Sequence, residues 1–117
     1  SRLYQPSYIS LETALNYYGM IPDIPQGVTG ITVTATKKIT TPFGKFYYTK
    51  IKRELFWGFE RVGSFCMARR EKALLDYFYV RKIRNIDDLR LNLGEFDRRL
   101  YWEYAGKFPK WVQKIKL

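Results

Sequence analysis

The order of patterns along this 117-residue chain predicts one α+β domain over residues 1–117: an N-terminal helix, an antiparallel sheet of about four or five strands, then C-terminal helices packed on that sheet. Three observations carry the expectation. A capped apolar stripe at 3–4 spacing comes first, β-rich arms broken by glycine and proline follow, and the 3–4 spacing returns from residue 68 onward.

The first helix is read from PSYISLETALNYYGMIP, residues 6 to 22. Ser10 is a good N-cap, Glu12 places a carboxylate in the first turn, Gly19 suits the left-handed position after the last turn, and Pro22 prevents continuation. Leu11, Ala14, Leu15 and Tyr18 then share one side, while Glu12 and Asn16 point elsewhere. After the turn-rich DIPQGV, the alternating ITVTAT predicts a half-buried strand over 31–36. In ITTPFGKFYYTKI, Pro42 and Gly44 separate two arms, Ile39 to Thr41 and Lys45 to Ile51, as a hairpin requires. Phe46, Tyr48 and Lys50 are expected on one face of the second arm, and Tyr47, Thr49 and Ile51 on the other. ELFWGFERV and GSFCMA extend the sheet, with Gly58 marking a bend or bulge.

Residues 68 to 82, ARREKALLDYFYVRK, form the central helix by the spacing of Ala73, Leu74, Tyr77 and Phe78. IDDLRL reads as a helical turn or short helix, its Asp87 and Asp88 serving as helix-start residues. EFDRRLYWEYAG is another helix, with Phe96, Leu100 and Tyr104 four apart and Gly106 as its stop. PKWVQKIKL opens with Pro109 at the first helical position and puts Trp111 and Ile115 on one side. No repeat or linker divides the chain.

Composition narrows the function. Hydrophobic content of 46%, with 18% aromatic, suits a packed core, and no apolar run approaches the roughly 18 residues that span a membrane. The lone Cys66 excludes an internal disulfide and fits a reducing, cytoplasmic setting as a small core residue. The chain has no histidine, which removes the commonest general base, the Ser-His and Cys-His nucleophile pairs and nearly every structural zinc site. There is no glycine-rich phosphate loop either, since Gly27, Gly30 and Gly44 are isolated turn residues. No catalytic residue, metal or cofactor is therefore expected. Carboxylates such as Asp76 and Asp97 offer the one remaining enzymatic route, and Asp76 reads instead as a helix-surface or intramolecular pairing residue.

Charge points to polyanions: 21 Lys and Arg against 11 Asp and Glu give a formal net charge of +10. The hairpin brings Lys37, Lys38 and Lys45 close together if its arms pair, with Lys50, Lys52 and Arg53 further along. Clustered point charges suit DNA phosphates more than bases, although lysines at a sheet edge also guard it against aggregation. Lys107, Lys110, Lys114 and Lys116 form a second basic row near the C-terminus. The ten tyrosines, eight phenylalanines and three tryptophans lie mostly at core spacing. FYYTK is the exception, an aromatic strand beside lysines as in small RNA-binding sheets, without the usual aromatic signature of such sheets. It keeps an independent RNA or single-strand binding module as the alternative to a DNA-associated domain.

Three stretches, PSYISLETALNYYGMIP, ITVTATKKI with TPFGKFYYTKIKRELFWGFE, and ARREKALLDYFYV, together resemble the C-terminal domain of the AbiEi family of antitoxins and transcriptional regulators from bacterial type IV toxin-antitoxin systems. They cover most of residues 4 to 80, and beyond about residue 85 the likeness is only to a general helical tail. Where family members often carry proline before the Glu-Lys-Ala-Leu-Leu-Asp run, this chain has Arg70, which bears on where that helix starts. The resemblance implies an antitoxin and autorepressor that counters a nucleotidyltransferase-like toxin without a stable complex. It also implies a winged helix-turn-helix ahead of PSYIS that binds operator DNA. Ser1 in place of a methionine adds to the expectation that this chain is the C-terminal part of a longer protein.

Overall fold

The computed structural model describes residues 4–117; Ser1, Arg2 and Leu3, on which the reading of the chain start rests, lie outside the described residues. The architecture is α+β, with six strands in one mixed sheet and four helices. The strands are β1 (Ser7–Ile9), β2 (Val28–Thr32), β3 (Lys37–Thr41), β4 (Gly44–Lys50), β5 (Phe59–Val62) and β6 (Phe65–Ala68). The helices are α1 (Leu11–Tyr17), α2 (Arg70–Arg81), α3 (Arg98–Ala105) and α4 (Lys110–Gln113). Sheet order is β3-β4-β2-β1-β6-β5.

This corrects the expected antiparallel sheet of four or five strands: β2 runs parallel to β4, and β1 parallel to β6. The correction begins at β1, which precedes α1 and lies near the centre of the sheet. All three of its residues are buried, so its sequence shows no alternation, and three residues are too few for a period-2 reading. A strand thus stands where the N-terminal helix was expected to open the fold. Elsewhere, β2 ends at Thr32, four residues before the end of ITVTAT, and a 3-10 turn over Arg53–Leu55 takes in the first two residues of ELFWGFE. The IDDLRL segment contains no helix, only a turn closed from Leu89 N–H to the Ile86 carbonyl at 3.0 Å.

The helices are not all packed on the sheet as expected. α1 packs on β2 and α2, while α3 packs chiefly against α2 and α4 packs against both α2 and α3. α2 starts at Arg70, the place of the family's proline and a position where proline is tolerated. Its guanidinium lies 4.7 Å from the Tyr18 ring centre. In α3 the fully buried side chains are Tyr101 and Ala105, one position on from the expected Leu100 and Tyr104. Asp97 caps this helix by accepting from Leu100 N–H at 3.1 Å, and its own N–H donates to the buried Glu71 at 2.8 Å.

Ser10 sits at the N-cap of α1, but its hydroxyl does not cap. It donates to Asp76 Oδ2 at 2.9 Å. The cap comes from across the sheet: Thr29 Oγ1 accepts from Thr13 N–H at 3.0 Å and donates to the Ser10 carbonyl at 2.7 Å. Gly19 has φ +73° and ends α1 as expected.

At the centre is a buried ion pair. Every residue of EKALLD, Glu71 to Asp76, is buried, because α2 is covered by the sheet and α1 on one side and by α3 and α4 on the other. Lys72 Nζ donates to Asp76 Oδ1 (2.8 Å), the Tyr8 hydroxyl (2.8 Å) and the Leu55 carbonyl (2.7 Å). Tyr8 in turn donates to Asp76 Oδ2 at 2.8 Å. The ammonium also lies 4.8 to 5.5 Å from the ring centres of Trp57, Tyr8 and Phe108. Asp76 is therefore a pairing residue. Burial pushes its carboxyl above the usual range and the Lys72 ammonium below its own, in each case against the pull of the partner charge.

Desolvating two charges costs several kcal/mol each, so the intact pair adds little net stability, whereas removing one partner strands the other charge. Asp76→Ala is expected to lower unfolding free energy by about 3–5 kcal/mol, and Lys72→Met with Asp76→Leu to recover part of that loss. Urea unfolding of the three proteins at matched m-values measures both effects.

Candidate nucleic-acid interface

The hairpin forms with a two-residue loop, Pro42 and Phe43, and its register fixes where each lysine stands. Lys38 lies opposite Tyr47, Lys37 opposite Tyr48, and Thr40 opposite Lys45. Side chains alternate along a strand, so Lys38 and Lys45 share the Tyr47 face while Lys37 and Lys50 share the Tyr48 face. Proximity in sequence therefore does not make Lys37, Lys38 and Lys45 one cluster. The expected grouping of Phe46, Tyr48 and Lys50 does follow from this register.

Two tyrosines of β4 are seated on glycines of the neighbouring strand segment, one on each face. A Cβ added at Gly27 would stand 2.8 Å from Tyr47 Cε2, and one at Gly30 would stand 3.0 Å from the Tyr48 ring. The Tyr48 ring is 2% exposed and packs on Tyr4 at 5.3 Å between centres. It is unavailable for base stacking. Of the three aromatics in FYYTK, Tyr48 is buried and Phe46 and Tyr47 are half-buried.

A different basic surface is assembled by tertiary contact. Lys50, the last residue of β4, and Lys52, just beyond it, border a groove of about 230 Å³ with Tyr79 of α2. Lys52 and Tyr79 continue into a groove of about 260 Å³ with Lys107, Phe108 and Pro109. From there the rings carry the surface onward: Tyr79 stacks on Trp111 (6.3 Å, 17°) and meets Phe108 edge-on (5.8 Å, 73°). The Arg84 guanidinium lies 4.3 Å from the Trp111 ring centre. Arg84 then borders a third groove, of about 250 Å³, with Lys114 and Lys116.

These grooves together carry six cations, Lys50, Lys52, Arg84, Lys107, Lys114 and Lys116, against the carboxylates Glu54 and Asp87. Among the described residues none of the six is within ion-pair distance of a carboxylate. The result is a strip of unneutralised charge. Its rings act as scaffolding: Trp57 supports Lys107 (5.9 Å) and Trp111 supports Arg84, which holds the cations in place with little loss of side-chain freedom on binding.

The sequence-derived residues therefore separate. Lys50, Lys52, Lys107 and Lys114 come together in the strip, although they were read as two patches. Lys37 and Lys38 lie instead at a separate cleft, and Lys45 at the hairpin tip beside Phe43. Arg53 and Lys110 are exposed but line none of these grooves. Arg84 was missed because it stands past the end of α2, where helical spacing gives no signal. The one hint was its place in VRKIR, a basic run closing a helix.

No protein family, curated protein or solved structure matches this chain. The likeness to AbiEi antitoxins accordingly rests on the sequence stretches that carry it. No helix among the described residues is long and apolar enough to cross a membrane.

Because Tyr48 is packed, Tyr48→Ala is expected to act on stability, lowering it by about 3 kcal/mol as for other buried aromatic truncations. The folded fraction is expected to keep its single-strand affinity. Thermal unfolding and fluorescence anisotropy on one preparation measure both.

Proposed function

We propose that this chain is a regulatory domain of an AbiEi-type antitoxin and transcriptional autorepressor, and that it lends a phosphate-binding surface to DNA. The observation that carries the nucleic-acid part is the strip of six unpaired cations from Lys50 to Lys116. Such a surface follows a phosphate backbone without reading bases, because its donors are point charges and one guanidinium held by packed rings. In this reading, operator sequence is recognised by the winged helix-turn-helix that family members carry ahead of the domain. The regulatory and antitoxin part comes from the family resemblance. The protein then opposes a cognate nucleotidyltransferase-like toxin without a lasting complex, in the cytoplasm, and has no catalytic role of its own.

Two features support the basic strip over the hairpin lysines as the principal contact. The strip's grooves are linked by Lys52 and Tyr79 and by the stack of Tyr79, Trp111 and Arg84, whereas Lys37 and Lys38 stand on opposite faces of an edge strand. Burial of Tyr48 removes the main support for the independent RNA or single-strand module.

The test is fluorescence anisotropy with a duplex, a shuffled duplex and a single strand of equal length across a range of salt. Comparable affinity for both duplexes is expected, falling with salt by about 0.9 log units per log unit for each phosphate neutralised. Charge reversal at Lys52, Lys107 and Lys114 is expected to weaken binding at least tenfold and flatten the salt slope by about 3. Preference for the single strand would favour the alternative module, and absence of binding would remove the nucleic-acid reading.

A further inference from the structure

We propose that the cleft between the α1/α2 pair and the β3–β4 hairpin binds a nucleotide-sized organic phosphate, with Lys38 and Arg81 taking the phosphate and Tyr47 forming the apolar wall. The cavity measures about 560 Å³, within the size range of small-ligand pockets. It shares no residue with the Lys50-to-Lys116 strip, so the proposal stands apart from the nucleic-acid reading.

The charge balance selects an anion. Two cations face the cleft beside Tyr47, Lys38 from β3 and Arg81 from the end of α2, against a single carboxylate, Glu12; Lys37 borders the cleft, but its ammonium lies on the other face, 5.4 Å from the Tyr4 ring centre. That carboxylate is already engaged: Arg81 Nε donates to Oε2 at 2.8 Å and Nη2 to Oε1 at 2.7 Å. The paired contact holds the guanidinium plane in place and leaves its remaining N–H groups for a second acceptor. Among the described residues Lys38 has no carboxylate within ion-pair distance. The Lys38 ammonium is instead 5.7 Å from the Tyr47 ring centre.

The walls select an organic phosphate over a bare ion. Tyr47 is held against the Gly27 backbone, where an added Cβ would stand 2.8 Å from its ring, so the aromatic wall is fixed before any ligand arrives. Pro25 adds a second apolar surface, and Thr49 lies beside Tyr47 on the same strand. A concave site with one fixed ring and convergent cations matches a phosphate joined to a flat or cyclic group, the chemistry of a nucleoside monophosphate. A polymer backbone is better met by the open strip.

The experiment is a calorimetric and amide-NMR titration of the chain with AMP, adenosine and inorganic phosphate. AMP is expected to saturate, with shifts confined to the residues around Lys38, Tyr47 and Arg81, while adenosine and inorganic phosphate each bind at least about tenfold more weakly. Lys38→Glu, a change at an exposed position, is expected to weaken AMP at least about tenfold, and Arg81→Gln to do the same with an unchanged circular dichroism spectrum. Lys107→Glu, in the strip, is expected to leave AMP affinity unchanged. The proposal is overturned if AMP gives no saturable signal at millimolar concentration, if inorganic phosphate binds as tightly, or if Lys38→Glu binds AMP as the parent does.

Discussion

Lys72 and Asp76 are two opposite charges one helical turn apart in a dry interior, and neither tolerates that setting without partners. Their partners come from three other places: Tyr8 on β1, Ser10 at the start of α1, and the Leu55 carbonyl in the 3-10 turn. The position of α2 is thereby tied to the middle of the sheet, to the first helix and to the segment leading into β5. A hydrophobic contact tolerates sliding, but these hydrogen bonds do not. Gly58 belongs to the same arrangement. Its φ of +79° suits glycine, and a Cβ there would stand 2.7 Å from Lys72 Cγ, so the lysine stem reaches its aromatic surroundings only past a bare backbone.

Because α2 is fixed in this way, both surfaces follow from it. Its C-terminal half presents Tyr79 to Phe108 and Trp111, which anchors the C-terminal segment and with it Lys107 and Lys114. Its last residue, Arg81, reaches Glu12 on α1 and closes one side of the cleft. The strip and the cleft thus share a support without sharing residues. A change that displaced α2 would disturb both, whereas single exposed lysines are separable.

An excess of +10 spread evenly would only repel itself and keep the chain soluble. Here cations without ion-pair partners gather along a grooved strip, and Lys38 stands at the mouth of a cavity. Several others, Arg69, Arg70, Arg81 and Arg90, are occupied by carboxylates. At physiological salt exposed charges feel one another over roughly 8 Å, so local grouping, more than the total, decides what each surface attracts.

Local rules were legible in the sequence. Gly19 as a helix stop, the hairpin turn around Pro42 with the alternating faces of its second arm, the bend at Gly58 and the helix over EKALLD all depend on a residue and its near neighbours in the chain. What escaped the sequence depended on distant partners. The central strand β1 is three residues with both faces buried, so no period marks it. The parallel pairings join segments whose connection leaves no pattern. Ser10 looks like a cap, yet its hydroxyl goes to Asp76 because a buried carboxylate is the stronger acceptor, and Thr29 supplies the cap instead. The basic residues were visible one by one, but their grouping was not. Strand register sends neighbouring lysines to opposite faces, and ring packing brings Lys52, Arg84 and Lys107 together from separate elements. Composition and spacing determined which local structures form; only the buried ion pair and the strand order decided which charges face the same solvent, since that is a property of the assembled surface.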